Sequence, residues 1–208
     1  LTMSVGSRAF GMQGTHRSYV TVRDLVFIGQ WGESAQAGAA IVFSADPASA
    51  LCRNNIISRC EAKYIRSMDR EWMFKTQGLG YHEVSDCLIE YCYGGAVAQF
   101  GSYVTTARCE VNWVNRTAIY FAACHYSTIT RCKVHNVRGT HSNGISVYSS
   151  GNNPANNTNN VVSYCDLYNI LTPITYEYGS NLDFIGNLVD AAGEEQSINE
   201  WGGCAGTI

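Results

Sequence analysis

The chain has 208 residues, a net charge of -3 and a charged fraction of 15%, which disfavours an intrinsically disordered chain. Only 3 of its 14 basic residues are lysines, which disfavours a basic nucleic-acid platform, and no apolar run is long enough to span a membrane. The chain contains 16 valines, 14 isoleucines and 14 threonines but only 9 leucines, together with 20 glycines. This composition favours strands and turns over helices.

A nine-residue phrase organises the chain. It recurs at Ile57–Ile65, Val84–Cys92, Thr106–Val114, Ile129–Val137 and Val162–Ile170, with weaker copies at Thr21–Val26 and Phe184–Val189. Its anchor positions are Asp24, Cys60, Cys87, Cys109, Cys132, Cys165 and Asn187. A step near 22 residues with longer excursions is typical of a coil that carries loop insertions.

Short apolar segments follow most anchors: Ala40–Phe43, Trp72–Phe74, Ala118–Phe121, Gly144–Val147 and Pro173–Tyr176. In Ala96–Phe100 the polar Gln99 leaves the facing of that segment open. Apolar positions two apart indicate a strand, and the gaps of three around each anchor indicate corners. No repeat carries a helical pattern, which disfavours leucine-rich, ankyrin and TPR arrays.

One such coil cannot pair its own backbone groups, whereas coils stacked about 4.8 Å apart can. The phrase Ile-x-x-[Cys/Asn/Asp]-x-Val over residues 19–192 resembles that of the right-handed parallel β-helix superfamily, which includes pectate-lyase-like enzymes, polysaccharide epimerases and phage tailspikes. The resemblance implies an all-β solenoid of about seven coils. We expect one domain over residues 1–208, as part of a longer chain or with its ends covered by neighbouring subunits.

The anchor cysteines should form one inward row. A metal or redox ladder is one interpretation, and free thiols packed as small apolar groups are the favoured one. Stacked thiols about 4.8 Å apart exceed the Cβ separation of a disulfide. The charged residues that flank the cysteines should form an outer ladder of Arg59, Asp86, Arg108, Arg131, Glu110 and Lys133. Aromatic and amide residues should stack at a corner, namely Tyr64, Tyr91, Trp113, Asn136 and Asn169.

The segments after the anchors carry the candidate site. If Ile119 and Phe121 point inward, Tyr120 points outward, as do Ser146, Tyr148, Thr175 and Glu177 on the following coils. The predicted catalytic residues are Arg116, His141 and Tyr148, and the predicted substrate-binding residues are Tyr120, Glu177 and Lys75. Arginine can clamp a carboxylate, and His or Tyr can take a proton. The alternative is a solvated sheet with scattered polar residues.

Other chemistry has less support. Glu71 and Glu177 are too far apart to act as a hydrolytic pair, whereas Asp69 and Glu71 are close enough. No acidic calcium cluster is apparent, and the sequence predicts neither a metal nor another cofactor. Three insertions between the repeated segments should be loops beside the candidate site. They are Gln30–Gly38, Arg66–Glu71 and Ser149–Asn160.

These observations lead to two functional hypotheses. The first is an extracellular or virion-surface β-helix that binds a polysaccharide, with lyase-like chemistry on acidic glycans. The second is a noncatalytic rod, such as a spike shaft or an adhesin segment. Phosphate-binding glycine motifs are absent from the sequence, so a nucleotide enzyme is set aside.

Overall fold

The computed structural model describes residues 12–15, 17–29, 39–44, 52–66, 72–139, 141–149, 157–191, 198–201 and 205–207. Within these ranges every regular element is a strand, and no helix is present that could cross a membrane. All strand pairs are parallel and join segments one coil apart. The chain therefore winds as a β-helix with three strands in each full coil.

The strands form three stacks along the axis. The first contains β2 (Thr21–Arg23), β5 (Ile56–Ser58), β8 (Glu83–Ser85), β11 (Thr105–Ala107), β14 (Thr128–Thr130), β17 (Thr158–Ser163), β20 (Ser180–Ile185) and β23 (Ala205–Thr207). The second contains β3 (Val26–Ile28), β6 (Glu61–Lys63), β9 (Leu88–Cys92), β12 (Glu110–Val114), β15 (Lys133–Val137), β18 (Asp166–Ile170) and β21 (Leu188–Ala191). The third contains β1 (Met12–Thr15), β4 (Ile41–Ser44), β7 (Trp72–Gly80), β10 (Gly95–Ser102), β13 (Ile119–His125), β16 (Asn143–Tyr148), β19 (Thr172–Glu177) and β22 (Ile198–Trp201). The seven strands of the second stack agree with the predicted seven coils.

Corners lie where the sequence predicts them, at the gaps of three residues. Each repeated phrase crosses a corner before its cysteine and a second corner four residues after it. Both corner positions have a left-handed backbone, as at Arg59 (φ 49°) and Tyr64 (φ 55°). This conformation turns the chain without a longer loop, and it is unusual for residues other than glycine.

Several of the predicted corner side chains pair or stack along the axis. Arg59 and Arg108 form bidentate ion pairs with Asp24 and Asp86, with shortest N···O distances of 2.6 Å. The rings of Tyr64 and Tyr91 stack with centroids 5.4 Å apart. A further stack, missed in the sequence, joins Tyr81, Tyr103 and Tyr126 at centroid distances of 5.0 and 5.3 Å.

The amide ladder is also present on the second stack. Asn136 donates to the Oδ1 of Asn112 over 2.8 Å, and Asn169 donates to the Oδ1 of Asn136. Lys133 and Glu110 pair at 3.5 Å on the outer side of the same stack. These contacts tie successive coils together through side chains in addition to the backbone ladder.

One anchor of the repeat is wrong by a residue. The register pairs Arg23 with Ser58 and Val26 with Glu61, so Asp24 lies over Arg59 and Leu25 lies over Cys60. Asp24 is itself a left-handed corner residue, with a φ of 58°. Its carboxylate belongs to the outer ladder, and Leu25 is the counterpart of the cysteine row.

The five anchor cysteines Cys60, Cys87, Cys109, Cys132 and Cys165 form the predicted inward row. All five are buried free thiols, as are the other cysteines in the described ranges. Each S–H lies within reach of the carbonyl two residues earlier, for example 3.1 Å from Cys87 Sγ to Ser85 O and 3.4 Å from Cys132 Sγ to Thr130 O. The thiols therefore fill the core and satisfy corner carbonyls.

Gln99 points inward, which settles the facing that the sequence left open. It lies in register between Thr76 and Phe121 and is fully buried. Its Nε2 donates to the carbonyl of Thr105 over 3.0 Å. Gln99 therefore occupies the interior position that Phe121 occupies one coil later, and it bonds to the coil above.

The predicted loops lie partly outside the described residues. Nothing is described for 30–38, 67–71 and 150–156, and Asp69 and Glu71 fall in the second of these segments. The third loop is shorter than predicted, because Thr158–Asn160 belong to β17 and extend the first stack. Asn160 supports this strand through its Oδ1, which accepts from Ser127 N at 3.0 Å.

Candidate functional site

The outer side of the third stack carries four of the six predicted site residues. Ile119, Phe121, Ile145 and Val147 belong to the hydrophobic core, so the alternating residues of the same strands face outward. Two outward rows result from the strand register. One contains Lys75, Ala98, Tyr120, Ser146 and Thr175, and the other contains Gln77, Phe100, Ala122, Tyr148 and Glu177.

The site is long and narrow. Lys75 lies two coils from Tyr120, and Glu177 lies two coils beyond Tyr120 on the opposite side. Four steps of about 4.8 Å separate the ends, or about 19 Å. Lys75 and Glu177 therefore cannot contact one substrate atom together, whereas both can contact an extended chain laid along the axis.

Arg116 and His141 precede the strands that carry Tyr120 and Tyr148. The hydroxyl of Thr117 donates to the carbonyl of His141 over 2.9 Å, which links the two entering segments. His141 is exposed and has a left-handed backbone, with a φ of 54°. Two of the three predicted catalytic residues, Arg116 and His141, thus lie at the entrances to β13 and β16, whereas Tyr148 is the last residue of β16.

The side chains of the site shift one another's pKa values. Burial, followed by the neighbouring Tyr148 and Glu177, raises the pKa of Tyr120, while Arg116 opposes the shift. Burial also raises the pKa of Glu177, and His141 opposes it. Tyr120 is therefore held as a neutral hydrogen-bond donor, which makes it a poor proton acceptor at neutral pH.

Two aromatic residues of this surface were missed in the sequence. The indole of Trp72 stacks on the Tyr120 ring, with centroids 5.0 Å apart and planes at 15°. Phe100 meets the Tyr120 ring edge-on at 6.0 Å, and Lys75 Nζ lies 5.7 Å from the Phe100 centroid. Strict alternation from the inward Phe74 would have placed Trp72 inside, so the sequence pattern carried no signal for its contact with Tyr120.

Trp72 reaches Tyr120 across an intervening coil. Gly95 lies directly opposite Trp72 in the register, and a Cβ built at Gly95 would lie 2.2 Å from the indole. Ala98, next to Lys75 and Tyr120, is the small residue in the outward row of that coil. The lack of bulk at these positions leaves room for the indole to lie over β10.

Tyr120 and Tyr148 differ in how many of their ring faces are covered by other aromatic rings. Tyr120 lies between Trp72 and Tyr148, whose ring stacks on it with centroids 6.0 Å apart. Both faces of Tyr120 are therefore covered, so this residue can meet a ligand through its ring edge and hydroxyl and not through a ring face. The second face of Tyr148 stacks on no aromatic ring among the described residues, and the next residue along its outward row is Glu177.

The Glu177 end of the site contains an unsatisfied hydroxyl. Thr175, one of the outward-row residues, is only 3% exposed, and its Oγ1 has no hydrogen-bond partner among the residues that the structure describes. Glu177 lies two residues further along the same strand, directly over Tyr148. This end therefore combines an acid with a raised pKa, a tyrosine ring and a spare hydroxyl.

In the part of the chain that the structure describes, no three or more His, Cys, Asp or Glu side chains converge to hold a metal ion. The cationic side chains nearest the outward rows are Lys75 and Arg116, and neither forms an ion pair with a described residue. The site therefore has positive charge available for an anionic ligand.

The chain belongs to the family described as the right-handed β-helix region, whose sequence model matches residues 10–189. This match agrees with the three-stack coil and with the superfamily resemblance of the repeated phrase. No curated protein and no solved structure gives a significant match. The family defines the fold, whereas the function depends on the particular side chains that the fold displays.

Proposed function

We propose that this β-helix binds an extended acidic polysaccharide along the outer side of the third stack. The observation that carries the proposal is the pair of outward rows that places Lys75, Phe100, Tyr120, Tyr148 and Glu177 on one surface. Its length of about 19 Å suits a polymer laid parallel to the axis. A protein with this activity would act outside the cell or on a virion surface.

Each side chain has a separate part in binding. Lys75 and Arg116 neutralise glycan carboxylates, and the arginine can do so through two parallel hydrogen bonds. Tyr148 stacks its free face on a sugar ring, and Tyr120 donates its hydroxyl proton to a sugar oxygen. Trp72 contributes indirectly, because its ring fixes the position of Tyr120.

The same surface supports lyase-like chemistry. Arg116 would bind the uronate carboxylate and stabilise charge as the neighbouring carbon loses its proton to His141 or Tyr148. The released electron pair forms a carbon–carbon double bond, and the glycosidic oxygen departs with a proton from solvent or a site acid. The product would carry an unsaturated sugar at its new end.

Calorimetric titration with oligogalacturonate and oligoalginate tests the binding step. We expect R116A/Y148A to weaken binding about tenfold or more, equivalent to about 1.4 kcal/mol or more. The matched variant R131A/Y164A removes the same residue types from exposed positions on another side of the coil. Equal affinity in R116A/Y148A and the wild type would contradict this site assignment.

Ultraviolet absorbance of unsaturated products tests the chemistry separately. Binding that survives in H141A while product formation stops would support the catalytic role of His141. Binding without product in the wild-type protein would leave a glycan-binding β-helix and remove the lyase step.

A noncatalytic rod is the second candidate. The stacked corner residues favour it, because Tyr81, Tyr103 and Tyr126 continue ring to ring over three coils. Such ladders stiffen a shaft without requiring any ligand. Absence of binding across a wide glycan array, together with cooperative thermal unfolding, would favour the rod over the glycan-binding protein.

A further inference from the structure

The interior contains a continuous row of five thiols that the glycan site does not use. Cys60, Cys87, Cys109, Cys132 and Cys165 are at most 2% exposed and belong to successive coils. The backbone stacks them directly, since Leu88 N donates to Cys60 O at 3.0 Å and Glu110 N donates to Cys87 O at 2.8 Å. The same bond joins Lys133 N to Cys109 O and Asp166 N to Cys132 O, at 2.9 Å each.

The neighbouring thiols interact with one another. Contact with Cys132 and Cys87, followed by burial, raises the pKa of Cys109. Each Sγ of the row lies within 3.5 Å of the carbonyl oxygen two residues earlier, and this acceptor favours the protonated thiol. Any cation that enters must therefore displace protons.

The spacing of the thiols determines which kind of bond can join neighbours in the row. Parallel strands lie about 4.8 Å apart, which is wider than the Cβ separation of about 3.8 Å in a disulfide. A metal–thiolate bond is about 2.3 Å long, so two such bonds end to end span about 4.6 Å. A cation in line between adjacent sulfurs therefore fits with little movement of either coil.

The residues around the thiol row determine which cation can bind there. Within the described ranges no third His, Cys, Asp or Glu converges with two of these thiols on a common point, so tetrahedral zinc lacks its ligands. The row lies in the hydrophobic core beside Ile57, Val84 and Ile129, where a charged complex would be strongly disfavoured. Two thiolates and one divalent cation make a neutral complex.

We propose that adjacent thiols of this row form binding sites for a soft divalent cation that takes two thiolates in line, of which Hg(II) is the best match. Binding forms two metal–sulfur bonds and breaks two S–H bonds, and both protons pass to solvent. No electron is transferred. Because one ion consumes two adjacent thiols, the five-membered row holds two ions.

The experiment titrates the reduced full chain with mercuric chloride and measures X-ray absorption at the mercury edge, which reports the number of sulfur neighbours. The wild-type protein should bind two ions with two sulfur neighbours each. The variant C87A/C132A leaves Cys60, Cys109 and Cys165 without an adjacent partner, and it should bind none in this form. The control C92A/C124A removes two buried thiols whose register neighbours are not cysteines, and it should keep two.

Single substitutions keep the test decisive if the double variant fails to fold. C109A retains the pairs Cys60/Cys87 and Cys132/Cys165, so it should still bind two ions with two sulfur neighbours. C132A retains a run of only three thiols and should bind one. Equal stoichiometry in C109A and C132A, or loss of the two-sulfur ions in C92A/C124A, would overturn the proposal. Zinc chloride should bind none of these pairs.

Discussion

The indole of Trp72 stacks on the ring of Tyr120 at 5.0 Å, although the two residues belong to coils separated by a third. The contact depends on Gly95, which lies between them and has no side chain to block the indole. Tyr120 in turn stacks on Tyr148. A glycine one coil away from Tyr120 thus helps to position the proposed glycan site.

Gly95→Ala should therefore destabilise the protein. The added Cβ would lie 2.2 Å from the Trp72 ring and would displace it, at a cost of about 1 to 3 kcal/mol. Urea unfolding followed by tryptophan fluorescence measures the change. In a Trp72→Ala background the same substitution should cost much less, and equal costs in the two backgrounds would contradict the proposed clash.

Binding of an acidic glycan should weaken as pH rises through the pKa of Glu177. Burial raises this pKa above its ordinary range, so the neutral carboxyl persists to a higher pH before its charge repels glycan carboxylates. The raised value also means that the contribution of Glu177 to folding stability is present at low pH and is lost as pH rises through the folded-state pKa.

Calorimetry across a pH series, with Glu177→Gln for comparison, checks this expectation. The glutamine variant should bind better than the wild type at the high end of the series, and the two proteins should converge at the low end. A difference between them that grows toward low pH would have the wrong sign for the proposed repulsion.

His82 should make the fold sensitive to mild acid. Its Nδ1 accepts the backbone N–H of Asn55 at 3.2 Å, so the ring is neutral with its proton on Nε2. Burial lowers the pKa of His82 to about 4. The unfolded chain takes up the proton near pH 6.5, so stability should fall by about 3 kcal/mol between roughly pH 6.5 and pH 4.

The variant His82→Asn isolates this effect. Asn55 and Asn160 occupy the same interior row and accept a backbone N–H from the preceding coil through Oδ1, at 3.0 Å each. An asparagine at 82 should do the same without titrating. Urea unfolding at pH 5 and pH 7 should show a smaller loss of stability in the variant, and an undiminished loss would assign the acid sensitivity elsewhere.

Ala123 should respond to substitution in opposite directions. It is the extra residue of an irregularity between β10 and β13, with a φ of 51°. Ala123→Gly removes the strain of a left-handed Cβ and should stabilise the protein by up to about 1 kcal/mol, whereas Ala123→Val should destabilise it by more. Thermal unfolding of both variants is the measurement, and equal shifts would show that the backbone is not strained.

Residues within one repeat were predicted well. The gaps of three around Cys60, Cys87 and Cys109 placed the corners, and the alternation in Ile119–Phe121 placed Tyr120 outside. Both patterns depend on a chain that changes direction at fixed points, so they are visible in any one copy. The predicted anchor at Asp24 is wrong because the first copy has Leu25 in place of the cysteine, so the polar corner residue before it resembles the anchor.

Contacts between coils were predicted less well. Gln99 points inward despite its polarity because the coil above offers the carbonyl of Thr105, and Trp72 joins the outer surface because Gly95 is small. Gly95 is distant in sequence from Trp72, and Thr105 meets Gln99 only because the chain turns a corner between β10 and β11.

The sequence by itself determined the coil, its period and its row of cysteines, since these follow from the order of apolar, turn and corner residues along one copy. Only the tertiary structure decided which rings face one another and which faces remain open to a ligand. The reason is physical: side chains on stacked coils compete for space across a distance of about 4.8 Å, and the outcome depends on neighbours that lie more than twenty residues away along the chain.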